Sequence, residues 1–130
     1  MIGKARADLT GIAGGQVIAL FLLLLLFLLD FWASGLPTGT LFPQWDKAVH
    51  TLGGALVAGL FYPYFPRTKV LLFSVFLIGA VFEVIEFLVS ATPAEYGGPL
   101  WYALDTALDI IVDVAGAWIM LWLIRRFGHE

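Results

Sequence analysis

The chain has 130 residues, one domain's worth, of which 61% are hydrophobic and only 13% charged, against roughly 25% charged in a soluble domain. A small domain hides only part of itself from its solvent, so the solvent expected for this chain is lipid. Seven Lys and Arg against ten acids, for a net charge of −3, exclude a nucleic-acid scaffold, and the absence of cysteine excludes disulfides, zinc–thiolate sites, iron–sulfur clusters and thiol catalysis.

The first apolar stretch covers 14–34, with an uninterrupted core over 17–29, and meets the roughly 20 residues that a transmembrane helix needs. Lys4 and Arg6 before it and Ala33-Ser34-Gly35 after it also fit a signal peptide, but the run is long for that role. A second span is expected over about 47–65, ended by Tyr62-Pro63 and Phe65-Pro66 because proline cannot continue the helical hydrogen-bond ladder. The third and fourth spans are expected over 70–89 and 104–124. The segments between the first and second and between the third and fourth are rich in Gly, Pro and Thr, as turns are. With no internal repeat or low-complexity tract, the expectation for 1–130 is a single all-α domain, a four-helix transmembrane bundle.

Lys and Arg set the orientation of such a bundle, being enriched on the cytoplasmic side. Lys4, Arg6, Arg67, Lys69, Arg125 and Arg126 fall on one side and Lys47 alone on the other. Both termini are therefore expected to be cytoplasmic, with the protein integral to the plasma membrane. Trp32, Trp45, Tyr96, Trp101 and Tyr102 then form an aromatic belt at the outer interface.

The acids are distributed as unevenly as the bases. Asp8 and Glu130 lie on the cytoplasmic side; Asp30, Asp46, Glu83, Glu86, Glu95, Asp105, Asp109 and Asp113 all fall on the outer side or in the outer half of a span. The outer half carries −7 and the inner half +4. At ~1.5 Å rise per residue, His50 and Glu86 sit ~6 Å inside their spans, and Glu83 and Asp113 ~10–13 Å. One charged side chain at the centre of a bilayer costs about 2.5–3.5 kcal/mol on the lenient insertion scale. A cluster of acids at this depth needs compensation from protons, bound cations or a water-filled cavity, and Lys47 is the one nearby side chain that is always positive.

Helical spacing brings these acids onto common faces. Asp46 and His50 are four residues apart, ~40° around a helix, and Glu83 and Glu86 three apart, ~60°. Asp105, Asp109 and Asp113 form a continuous stripe at intervals of four. Small residues share the stripes: Gly53 with His50, Gly79 with Glu83, Gly116 with Asp113. Gly54-x-x-x-Ala58 and Ala55-x-x-x-Gly59 make the second span the expected central helix, since small residues let helices approach closely.

Carboxylates with one imidazole form a hard-to-borderline ligand set, suited to Mg²⁺, Mn²⁺, Ca²⁺ or Zn²⁺. The expected ligands are His50, Glu83, Glu86, Asp109 and Asp113. Asp46 and Asp105 are candidates for a catalytic base or for orienting a ligand, although at the start of their spans they could equally cap helix N-termini. Asp30, beside Trp32, and Glu95, in a turn, read as solvated. Glu83, Glu86, Asp109 and Asp113 do not fit a bland reading, because ionisable residues at lipid depth are functional by default.

Asp46-Lys47-Ala48-Val49-His50 followed by Gly53-Gly54 resembles the Asp-Lys-x-x-His opening of VanZ-like membrane proteins. Asp109-x-x-x-Asp113-x-x-Gly116 is similar to that family's Asp-x-x-x-Asn-x-x-Gly, with Asp113 at the asparagine position. The match is closer to the related YjdF-like inner-membrane proteins, where a Glu-x-x-Glu segment precedes a stripe of aspartates ending in Gly-Ala, as Gly116-Ala117 does here. The resemblance covers roughly 44–117. It implies a polar intramembrane site, and for VanZ-like proteins an association with glycopeptide (teicoplanin) resistance.

Two functions fit the pattern. One is a metal-dependent hydrolase at the outer leaflet, whose cation would polarise an ester or phosphoryl oxygen of a membrane lipid or lipid-linked substrate and activate water. The other is a cation- or proton-binding component of a transporter or sensor. Four helices provide no inverted second half for transport; a homodimer could supply one.

Overall fold

A computed structural model describes residues 2–34, 45–65, 67–89 and 97–127. Four helices make up the described fold, with no strand: α1 (Ile2–Ser34), α2 (Trp45–Phe61), α3 (Thr68–Val89) and α4 (Pro99–Phe127). The expected turn over 35–44, and Glu95 and Tyr96, lie outside the described residues.

Three helix ends lie well away from those read off hydropathy. Helix α1 begins well before the apolar run; Lys4-Ala5-Arg6-Ala7 are good helix formers, so the sequence becomes polar there without ceasing to be helical. Helix α2 stops at Phe61 rather than running to 65, and Tyr62–Tyr64 form a turn. The ring of Pro63 disfavours a helical residue before it, and the Tyr64 and Phe65 amides close the turn onto the Phe61 carbonyl at 3.0 Å. Helix α4 starts at Pro99 rather than 104. Gly97 and Gly98 turn the chain with φ of 81° and 128°, and proline suits the first helical position, where its missing N–H costs nothing. Asp105 is thus in the second turn of α4, and the reading of it as an N-terminal cap is corrected.

The helices alternate in direction. Tyr64 after α2 donates a hydrogen bond to Gln16 of α1 at 3.1 Å, and Arg125 of α4 donates to the Thr68 hydroxyl of α3; these pairs mark one end of the bundle. At the other end α2 and α4 begin and α1 and α3 finish. Helix α2 is the hub, packing on α1, α3 and most extensively α4, while among the described residues α1 packs its backbone only on α2. The intimacy of α2 and α4 rests on glycine: a Cβ on Gly54 would lie 2.6 Å from the Asp113 carbonyl carbon, and one on Gly116 2.8 Å from that of Thr51.

The interior divides by polarity along the bundle axis. Ala58, Leu71, Val75, Ala117 and Leu121 form a buried apolar core toward the Gln16–Tyr64 end, whereas His50, Glu83, Asp109 and Asp113 are buried at the other. Large apolar side chains meanwhile face outward on α1, α3 and α4, including Phe21, Phe73, Ile111 and Trp118. Around the buried acids the arrangement, polar inside and apolar outside, is the reverse of a soluble domain. Helices α3 and α4 are long and apolar enough to cross a membrane. The apolar part of α1, Gly14–Asp30, is shorter, and the 17-residue α2 carries Asp46, Lys47 and His50.

Candidate functional site

Helix periodicity delivers the acids to one place. The stripe Asp105, Asp109, Asp113 on α4 faces the Asp46, Lys47, His50 surface of the parallel helix α2, and Glu83 of α3 closes the third side. Asp109, Asp113, Glu83 and His50 are buried, and Asp46, Asp105 and Glu86 are half-buried nearer the helix ends.

Lys47 organises the outermost part. Its Nζ donates to Asp46 Oδ2 at 3.0 Å, Asp105 Oδ1 at 2.6 Å and Asp109 Oδ1 at 2.5 Å. An ammonium has three protons to give, and each meets a carboxylate from a different turn. The Thr51 hydroxyl donates to the Lys47 carbonyl at 2.7 Å.

His50 organises the inner part, and its two ring nitrogens have different surroundings. Nδ1 lies 3.3 Å from Asp113 Oδ2. Nε2 points into the cluster, 3.5 Å from Glu83 Oε1, 3.8 Å from Asp46 Oδ1 and 4.0 Å from Asp109 Oδ1. The imidazole also packs edge to face with Phe82, with ring centroids 5.5 Å apart. Gly79 makes this arrangement possible, because a Cβ there would run into the Asp113 carboxylate. Glu83 Oε1 is buried and has no hydrogen-bond partner among the described residues, a costly condition for a carboxylate oxygen unless something charged satisfies it.

Two overlapping sets of side chains offer ligand atoms within 4.8 Å of one another: Asp46, His50 and Asp109, and His50, Glu83 and Glu86. Donors around one cation at ~2.0–2.6 Å stand at comparable mutual distances. Asp113 belongs to neither set. It is on the far nitrogen, where a carboxylate fixes the tautomer and heading of a metal-binding histidine. Asp105 is likewise outside both sets and touches the cluster through Lys47.

Asp30 departs from the solvated position expected of it. It is half-buried and within electrostatic reach of Asp46, His50 and Glu86, so it borders the cluster rather than standing apart in solvent. In the structure Gln16, Ala19, Leu23, Leu26 and Asp30 recur every three to four residues and form the half-buried stripe of α1. The sequence shows Lys47 only as a lone positive charge; its place as the common donor to three acids depends on the parallel pairing of α2 and α4.

A cavity of about 180 Å³ adjoins the cluster, walled mainly by apolar side chains of α1, α2 and α3, with His50 and Asp113 also in its lining.

Comparisons with curated proteins and with solved structures return no match. A family model described as "Predicted membrane protein (DUF2238)" matches residues 15–130, which takes in the apolar part of α1, all of α2, α3 and α4, and every residue of the cluster. The chain therefore belongs to the DUF2238 family of predicted membrane proteins.

Proposed function

We propose that this is a multi-pass protein of the cytoplasmic membrane whose buried cluster holds a divalent cation and hydrolyses an ester or phosphoester bond of a lipid or lipid-linked substrate. The observation that carries this reading is the asymmetry of His50: Nδ1 is held by Asp113, and Nε2 is aimed at Glu83, Asp46 and Asp109. A structural histidine needs one good partner; this one presents its second nitrogen to a buried carboxylate oxygen that itself lacks a hydrogen bond. The cation would supply Lewis-acid polarisation of the scissile oxygen and ease deprotonation of water. Glu83 and Glu86 with His50 form the ligand set; Asp46, only half-buried, is placed to take a proton. Asp105 positions Lys47, which keeps Asp46 and Asp109 from repelling each other. The VanZ-like and YjdF-like resemblance, whose motif residues are Asp46, His50, Asp109 and Asp113, supports a polar intramembrane site and names no reaction.

Transport has less support. Below the cluster the described interior is the apolar core of Ala58, Leu71, Val75, Ala117 and Leu121, and no acid in the sequence continues a path through the inner halves of the helices.

The test is thermal unfolding of the detergent-solubilised protein, stripped with EDTA and then given Mg²⁺, Ca²⁺, Mn²⁺ or Zn²⁺. A cation bound only to the folded state at 100 times its Kd stabilises by about 2.7 kcal/mol, and the midpoint should rise. Glu83→Gln should abolish that rise and, by removing one buried like charge, raise the cation-free midpoint. If no cation moves the wild-type curve, the cation reading fails.

The arrangement also commits to a topology. All four helices cross, both termini are cytoplasmic, and the cluster faces the outer leaflet, because six of seven Lys and Arg lie at the opposite end. Reporter fusions after Glu130 and next to Tyr96 should report opposite sides; the same side for both would overturn the orientation.

A further inference from the structure

The cavity beside the cluster is set apart by its shape and by what lines it. Leu23 and Leu26 of α1, Val57 of α2, and Val75 and Ile78 of α3 wall it. It exists because, among the described residues, α1 packs its backbone on α2 and not on α3, which leaves a cleft between α1 and α3. Its walls run from His50 to Val57 along α2 and from Phe82 to Val75 along α3, ~10 Å of each helix at ~1.5 Å per residue. Phe27 and Phe82 meet edge to face across the cleft at the polar end, with centroids 6.2 Å apart. At about 180 Å³ it exceeds the ~30 Å³ share of one water several-fold, yet apolar walls of this kind stay dry.

We propose that this cleft holds a segment of one straight acyl chain of a membrane phospholipid, lying along α2 and α3 with its polar end toward His50. The occupant follows from three features. The walls accept only hydrocarbon. The long axis runs parallel to the helices, as lipid chains do. His50 lies toward the outer end of the α2 wall, so a molecule filling the cleft meets a polar group there, as an acyl chain turns polar at its ester. The cleft thereby names the substrate class of the proposed hydrolytic site, and it rests on that reading for what the ester meets beyond His50.

The experiment uses the full chain in phosphatidylglycerol nanodiscs containing a phosphatidylglycerol with a diazirine midway along one acyl chain. Crosslinks are mapped by peptide mass spectrometry. Leu23, Leu26 and Val57 should be labelled several-fold more, for their exposed area, than the outward-facing Phe73 and Ile111, and excess unlabelled lipid should compete at the cleft alone. Ile78→Trp fills the cleft from α3 and Leu26→Trp fills it from α1. Whichever of them keeps the wild-type unfolding midpoint should lose the cleft label and keep the outer label. Uniform labelling, or cleft labelling that survives both substitutions, overturns the proposal. A parallel arm with a photoreactive isoprenyl phosphate identifies the chain: cleft labelling by that probe and not by the phospholipid overturns the straight-chain assignment. Both arms are run with EDTA and with added Mn²⁺. Cleft labelling without any effect of cations on unfolding leaves the chain site standing and removes the cation reading; a cation effect with uniform labelling does the reverse.

Discussion

Lys47→Met should destabilise the protein by about 2–3 kcal/mol and make it more responsive to divalent cations than the wild type. Three carboxylates converge on the Lys47 ammonium, at 3.0, 2.6 and 2.5 Å. Methionine keeps the stem and removes the charge, so Asp46, Asp105 and Asp109 are left facing one another with nothing between them. Removing one partner of a fully buried ion pair costs ~3–5 kcal/mol; the Lys47 side chain keeps 26% of its surface exposed, which lets solvent screen part of the loss and places the expectation below that range. The three vacated carboxylates are then free to hold an added cation in place of the ammonium. Unfolding curves in detergent, with EDTA and with Ca²⁺ or Mg²⁺, should show the deficit without cation and its partial recovery with it. Lys47→Arg, which keeps the charge, should lose much less. A Lys47→Met variant as stable as the wild type in EDTA would mean that the three acids are already neutralised by protons, and the electrostatic account of the site would fall.

What could be read before the structure was the set of acids, and what could not was their division of labour. Intervals of three and four residues place Glu83 with Glu86, and Asp105 with Asp109 and Asp113, whatever the tertiary fold, because the α-helix repeats every 3.6 residues. The choice of partner helix is a tertiary fact. Asp109 and Asp113 are one turn apart on one stripe, yet one accepts from Lys47 and the other lies against His50 Nδ1. That separation is set by the depth at which α4 lies against α2. Asp105 was legible as a member of the stripe and illegible as an interior helical residue, since the start of α4 is fixed by Gly97, Gly98 and Pro99 rather than by hydropathy. Asp30 was hidden by its neighbours: Leu22 to Leu29 are apolar on every face, so no amphipathic pattern shows which side of α1 turns inward.

Gly54→Ala should be among the most damaging single-methyl changes in the chain, and Gly53→Ala, at the adjacent position, close to harmless. Both sit in the middle of α2, where alanine is favoured over glycine by about 0.8–1.0 kcal/mol in intrinsic helix propensity. The surroundings reverse the sign at one of them. A Cβ on Gly53 meets only the end of the Leu26 side chain at 3.9 Å, an ordinary contact that leaves the propensity gain intact. A Cβ on Gly54 would lie 2.6 Å from the carbonyl carbon and 2.7 Å from the Cα of Asp113, and backbone does not rotate out of the way. Helices α2 and α4 must separate, at a cost of about 3 kcal/mol or more, the upper end of what overpacking incurs. The damage is not confined to packing, because the residue pushed away is Asp113, whose carboxylate holds His50 Nδ1. Any cation response that depends on the heading of His50 Nε2 should therefore fall with the unfolding midpoint in Gly54→Ala and survive in Gly53→Ala. Gly116→Ala, which drives α4 into the Thr51 carbonyl from the other side of the same crossing, should behave like Gly54→Ala. Unfolding midpoints in detergent for the three variants, with and without Mn²⁺, test this directly; equal midpoints for Gly53→Ala and Gly54→Ala would show that α2 and α4 do not meet backbone to backbone beneath the site.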